Sequence, residues 1–279
     1  GEPSSARARQ EPKIRVCVRK RPQNRKETER GEEMIVDMDC GSGALQVHEP
    51  KVKVDLTKYV EQHEFHFDSV FDASTCNETV YRATVAPLLP NVFSGGRATC
   101  FAFGQTGSGK TYTMRPLPGR TARDMFGLLE HKEHAELELW LSIYEIYGGK
   151  VFDLLNGRNP LVMREDGKKN VNIVGLQEHR IGGEAEVEGY VASAESARST
   201  GSTGANAASS RSHCIMQFSL KRAVAQQGRP AGGLGAAPTV VRRVVGKISF
   251  IDLAGSERGA DTDENDKKTR LLGGGGKKN

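Results

Sequence analysis

The chain has 279 residues, 37% of them hydrophobic, enough to bury a core as one large domain or two small ones. Its formal charge of +5 selects no partner class, and its five cysteines, at 17, 40, 76, 100 and 214, are too scattered for a disulfide framework or a zinc pattern. With no secretory leader pattern and no apolar run near the roughly 18 residues of a membrane span, a reducing intracellular compartment is expected.

Residues 1–12, polar and carrying Pro3 and Pro12, read as a disordered lead-in. Ten Lys or Arg against three Glu fall between Arg7 and Arg30, a basic stretch that suits nucleic acid, lipid, an acidic polymer or plain solvation alike. The alternation from Ile14 to Arg19 predicts a strand, ended by Pro22. Asp72 to Val92 suits a helix, with Thr75 as cap and Val80, Thr84 and Leu88 four apart. Ala98 to Phe103 is a short apolar run that predicts a buried strand. A helix starts at Lys110, is interrupted by Pro116 and Pro118, and resumes near Thr121 to Leu129. Leu139 to Tyr147 predicts another strand, and Val151 to Leu155 a short apolar segment after the Gly148-Gly149 turn. Residues 171–181 read as loose β-structure, and Ala185 to Arg198 as a helix leading into a Ser/Thr/Gly-rich loop at 199–210. Ile215 to Leu220 and Lys247 to Leu253 predict two more strands, with Ala223 to Pro238 between them as a mobile hairpin tip or insertion. Gly273 to Asn279 reads as a flexible tail, and Cys17 and Cys100 as small buried residues. Strands alternating with helices argue for an α/β domain around a central sheet.

Three motifs carry chemistry. Gly104-Gln105-Thr106-Gly107-Ser108-Gly109-Lys110-Thr111, between the strand at 98–103 and a helix start, fits the phosphate-loop pattern in the context that pattern needs. Its glycines let backbone N–H groups cradle phosphate oxygens, Lys110 adds a point charge, and the Thr111 hydroxyl can hold Mg2+. Asp252-Leu253-Ala254-Gly255-Ser256-Glu257 sets a carboxylate at the end of an apolar strand, where such folds orient Mg2+, and Gly255 supplies an N–H for a γ-phosphate. Asn206 to His213 packs hydroxyls, Arg211 and His213 into one polar stretch; its hydroxyls suit Mg2+ and phosphate, and Arg211 can bridge to Glu257. His63 with His66 and His131 with His134 have helical metal-ligand spacing but no third ligand nearby, and read as ordinary surface or partly buried histidines.

Read together and in order, GQTGSGKT, NAASSRSH and DLAGSE resemble the phosphate loop and two switches of the kinesin motor domain. Arg19-Lys20-Arg21-Pro22 resembles that family's adenine-binding block, and Phe65 to Phe71, Tyr144 to Tyr147 and Asp153 to Leu155 resemble further shared blocks. The resemblance implies a three-layer P-loop NTPase with a central mixed β-sheet flanked by helices, as a motor domain over 13–270, with 271–279 as tail. It implies ATP and Mg2+ as ligands. Arg19, Arg21, Pro22 and Tyr112 would meet the adenine, and Gly104, Gln105, Thr106, Gly107, Ser108, Gly109, Lys110 and Thr111 the phosphates. Thr111 and Ser210 would ligate Mg2+, with Asp252 one water further out. Arg211 and Glu257 would form the switch ion pair, Gly255 would sense the γ-phosphate, and Ser209 with Glu257 would place the attacking water and pass its proton.

Lys51 to Tyr59 resembles the extended loop of the internal-motor kinesins, kinesin-13, and implies that Lys53, Val54 and Asp55 meet tubulin. Gly175 to Glu178 and Arg258 to Thr262 resemble the same subfamily. The resemblance therefore implies a cytoplasmic, cytoskeletal ATPase that peels microtubule ends, with no nucleic acid or membrane partner, and allows a homodimer through regions outside this chain. A transport kinesin and a turnover-deficient nucleotide binder are the alternatives. After Thr262 the family continues through a long microtubule-binding helix and a further strand, whereas this chain runs into glycines and lysines. The expectation is a chain truncated relative to the family and impaired as a motor on its own, with unpaired strand edges at 14–19 and 98–103.

Overall fold

The computed structural model describes residues 13–200, 212–226 and 239–256. The chain forms two compact units that divide between Thr84 and Val85.

The first unit contains β1 (Cys17–Arg19), α1 (Arg25–Glu29), β2 (Val36–Asp39), β3 (Ala44–Val52), β4 (Lys58–His66), β5 (Ser69–Phe71) and α2 (Asn77–Thr84). β1 pairs with β5 in parallel, and β2, β3 and β4 form an antiparallel sheet in that order. α1 is five residues long and is held by a capping box, Asn24 accepting from the Glu27 amide while Glu27 accepts from the Asn24 amide. β3 and β4 form a two-stranded arm in which Glu49 stands directly opposite Glu61. Like charges in that position repel; Lys51 reaches both carboxylates and His63 lies 2.9 Å from Glu49, which offsets the repulsion.

The second unit begins with a 3-10 turn and α3 (Leu89–Phe93), then β6 (Arg97–Ala102), α4 (Lys110–Met114) and α5 (Leu117–Leu129). β7 (Leu137–Tyr147), β8 (Lys150–Asp153), β9 (Asn159–Glu165), β10 (Val171–Val174) and β11 (His179–Arg180) follow. α6 (Glu184–Thr200), β12 (Ser212–Gln226) and β13 (Thr239–Asp252) complete it. The strands make one mixed sheet in the order β10-β9-β8-β7-β12-β13-β6, with β11 also on β7. Among the described strands of this sheet only β13 and β6 pair in parallel, and that pairing sets Asp252 opposite Ala102. Buried Leu139, Leu141, Ile143, Phe218, Ile248 and Phe250 form the spine of this sheet. α3 and α4 pack on β13 and β6, while α5 and α6 pack on one another and α6 on β7. This is the central mixed sheet with flanking helices that the sequence predicts.

Several local expectations are corrected. The helix predicted over 72–92 is three pieces, because Pro87 and Pro90 each remove a backbone donor. Thr75 does not cap it; its hydroxyl donates to Asp72 at 2.8 Å. The strand at 97–102 is not buried: it pairs only with β13 among the described residues, and Phe101 is 60% exposed. Residues 223–226 and 239–246, read as part of or beside a mobile tip, extend β12 and β13 well beyond the apolar runs. Cys17 and Cys100 are half-buried rather than buried. His63 and His66 lie on a strand, where a spacing of three puts them on opposite faces. No helix among the described residues is long and apolar enough to cross a membrane. The segments 1–12, 199–210 and 271–279, expected to be a lead-in, a loop and a tail, lie mainly or wholly outside the described residues.

Candidate nucleotide site

β6 delivers the chain into the 104–109 loop, and α4 leaves it. Gly104 (φ 150°) and Gly109 (φ 95°) hold backbone conformations that other residues rarely adopt. A side chain at Gly104 would also place its first carbon 2.7 Å from the Ser108 hydroxyl. Lys110 folds back over this loop, its ammonium donating to the carbonyls of Gly104 (2.8 Å) and Gln105 (2.9 Å). A cation held at the loop by carbonyl oxygens is available to an anion that enters it.

Thr111 on α4 and Asp252 at the end of β13 are 141 residues apart, yet the Thr111 hydroxyl donates to Asp252 Oδ2 at 2.9 Å. Asp252 Oδ1 is buried and has no hydrogen-bond partner among the described residues. A buried carboxylate oxygen without a partner is costly, and here it stands beside a hydroxyl. The two together are hard oxygen donors of the kind Mg2+ takes. The residues present therefore fit that ion.

Past Asp252 the chain makes two further bonds. The Ala254 amide donates to Nδ1 of His213 (3.1 Å), and the Ser256 amide donates to the Gly104 carbonyl (3.2 Å). Ala254 and Gly255 are buried. Beneath lies a group that sequence reasoning does not single out. Glu145 on β7 is 2% exposed, and its Oε2 accepts from Arg158 Nε (3.2 Å) and Nη2 (3.1 Å). Its Oε1 is 3.5 Å from Arg198 Nε, and Arg198 Nη2 donates to the Ser212 hydroxyl at 2.9 Å. Arg198 also lines a cavity of about 80 Å3 together with Thr111, Cys214 and Asp252. Burial pushes the Cys214 thiol up to about 11.

The remaining predicted residues are distributed as follows. Ser209, Ser210, Arg211 and Glu257 lie outside the described residues. Gln105, Thr106, Gly107 and Tyr112 are exposed along the loop and α4. In the first unit, Arg19 donates to Asn77 Oδ1 (2.6 Å) and the Thr75 carbonyl (2.8 Å). Arg21 pairs with Glu27 and bonds the Pro22 carbonyl at 2.9 Å. The Arg21 guanidinium, helped by the Asn24 amide, holds the Glu27 carboxyl down at about 2. At the end of the β3–β4 arm, Val54 is fully exposed, Lys53 lies over the Tyr59 ring at 5.7 Å, and Asp55 accepts from the Thr57 amide at 3.0 Å. That amide and the Thr57 hydroxyl lower the Asp55 carboxyl.

A mixed sheet, a glycine loop carrying Lys-Thr, and a strand-end aspartate bonded to that threonine define an α/β domain of the P-loop nucleotide-binding class. Comparison with known proteins narrows this: the family model of the kinesin motor domain matches residues 19–273, and the chain belongs to that family. Kinesin motor domains bind nucleotide, usually with Mg2+. Relatives include kinesin-like protein KIN-13A of Oryza sativa subsp. japonica, 55% identical over 273 residues, which are 97% of this chain and 33% of the relative. KIN-13B of Arabidopsis thaliana is 53% identical over 263 residues, 94% of this chain and 36% of the relative. Human KIF24 is 45% identical over 268 residues, 94% and 18% respectively. The chain thus spans about a third or less of the length of these curated relatives.

Proposed function

We propose that this domain hydrolyses ATP as a microtubule motor of kinesin type and acts on microtubule ends, removing tubulin rather than walking. The observation that carries the catalytic part is the hydrogen bond from Thr111 to Asp252, which brings the phosphate loop and the strand-end carboxylate into one site. In this reading the loop amides of 105–111 and Lys110 bind the phosphates. Thr111, Ser210 and Asp252 hold Mg2+, which when bound neutralises phosphate charge. Ser209, Arg211, Gly255 and Glu257 respond to the γ-phosphate and place water, and Arg19, Arg21, Pro22 and Tyr112 meet the adenine. Catalysis is then mainly placement and electrostatics, as phosphoryl transfer allows.

The arm supports the choice of microtubule ends. Its tip sets a fully exposed Val54 between Lys53 and Asp55, on two strands of nine residues each, a geometry suited to reaching into a charged protein surface. Relatives named KIN-13A and KIN-13B favour the same subfamily. The test is ATP turnover with and without microtubules in the full-length protein, beside end depolymerisation, for the unaltered protein and a variant with alanines at 53–55. Loss of depolymerisation with basal turnover intact supports the reading. Unimpaired depolymerisation by the variant, or directed movement by the unaltered protein, would overturn it.

A further inference from the structure

We propose that His213 is a positioning residue for ATP hydrolysis, holding the loop after Asp252 against the phosphate loop, and that Arg198 and Glu145 fix His213 in turn. The proposal rests on the ATP-hydrolysing reading above and assigns a role within it to a residue that the switch motif contains but the chemistry leaves unused.

The ladder between β12 and β13 runs out at the pair Cys214–Asp252. Two residues further along the chain the partner of the Ala254 amide is no longer a backbone carbonyl of β12 but the ring of His213, whose Nδ1 accepts it at 3.1 Å. Nδ1 is therefore the unprotonated nitrogen in this arrangement. Ala254 is 6% exposed, so water does not readily replace the ring, and removing the acceptor leaves a buried N–H without a partner. Two residues on, the Ser256 amide donates to the Gly104 carbonyl, the same oxygen that accepts from Lys110. Gly255 is thus bracketed by two pins, one on His213 and one on the phosphate loop.

His213 has its own anchor. Its neighbour Ser212 is fully buried at the first position of β12, and the Ser212 hydroxyl accepts from Arg198. Arg198 faces the buried Glu145 carboxylate, one strand over on β7, where Glu145 pairs with Cys214. Glu145, Arg198, Ser212, His213, Ala254 and Ser256 therefore form a contiguous path that ends on Gly104. Along this path the effect of Glu145, Arg198, Ser212 and His213 on Gly104 passes through the loop after Asp252.

The substitutions that test this separate the acceptor from the ring. His213→Asn puts its carbonyl oxygen near the place of Nδ1, His213→Gln puts it near Nε2, and His213→Ala removes it. In the full-length protein we expect His213→Ala and His213→Gln to lower kcat for ATP about tenfold, the size of one lost hydrogen bond, with KM changed less than about threefold. His213→Asn retains kcat to within about threefold. Hydrogen–deuterium exchange of the peptide over 253–256 speeds up in the Ala and Gln variants and not in the Asn variant. Unchanged kcat and exchange in His213→Ala, or Gln behaving like Asn, would overturn the proposal. Should His213→Ala fail to fold, the near-isosteric Asn and Gln pair decides alone. An unaltered protein that binds ATP without turning it over would overturn the functional reading, and this proposal with it.

Discussion

Replacing Glu145 by glutamine keeps the side-chain shape and removes a negative charge that Arg158 and Arg198 share from opposite sides. Glu145 is 2% exposed and the two arginine side chains 21% and 14%, so water can screen the remaining positive charges only in part. Breaking a buried ion pair from one side costs about 3–5 kcal/mol; the partial exposure of both arginines, and the carbonyl that glutamine retains, place this case near the lower end, about 3 kcal/mol. For a domain of this size that corresponds to a fall in Tm of about 6–12 °C. Thermal and urea unfolding measure it, and a double-mutant cycle with Arg158→Met and Arg198→Met apportions it. Arg158, with two hydrogen bonds to the carboxylate, should couple more strongly than Arg198, whose ion pair is 3.5 Å. A loss below about 1 kcal/mol, or equal coupling to both arginines, would refute the reasoning.

Lys110→Ala should weaken ATP binding about tenfold to a hundredfold, since a charge-assisted contact to the outer phosphates is lost; unchanged affinity by calorimetry would remove that role from Lys110. Gly246→Ala should destabilise by at least about 1–3 kcal/mol, because the added carbon would lie 1.9 Å from the Val92 carbonyl and force α3 off β13; denaturant midpoints check this. With its thiol held at about 11, half-buried Cys214 should label at pH 8 far more slowly than exposed Cys40 and Cys76; labelling of native Cys214 as fast as these two would contradict the raised thiol. Because the folded value lies above the ordinary one near 9, the unfolded chain releases that proton first, and stability should fall as pH rises from about 9 towards about 11; urea midpoints at pH 8 and pH 10.5 give the sign.

The phosphate loop was legible because its chemistry and its local structure coincide: glycines at 104, 107 and 109 both permit the turn and mark it. Asp252 was legible for a similar reason, ending an apolar strand. The buried charges were not. Glu145 sits in a stretch whose apolar neighbours announce a strand, but nothing in local spacing says that Arg158 and Arg198 converge on it, since that follows from the pairing of β7 with β8 and β12. The β2–β3 pair and the outer parts of β12 and β13 escaped as well. β2 does alternate, Val36-Asp37-Met38-Asp39, but over only four residues, and the outer parts of β12 and β13 mix charged and apolar residues without strict alternation, so pairing with a neighbour, rather than pattern, marks them as strands. The helix at 72–92 failed in the opposite way, its four-residue periodicity outweighing two prolines that the chain obeys.

β13 is held in register twice, by β12 over its whole length and by β6 from Lys247 to Asp252. Near its middle the register with β12 shifts, Leu220 standing opposite Gly246 but Lys221 opposite Val244. This divides the hairpin into two parts with different tolerance for change in chain length. On the inner part, deleting a single residue would turn Asp252 to the other face of the sheet and away from Thr111. On the outer part, beyond the shift, residues can be gained or lost between the strands while the inner pairs keep Asp252 where it is. Variation in length among relatives should therefore collect between residues 226 and 239, and the segment from Lys247 to Asp252 should keep a fixed count.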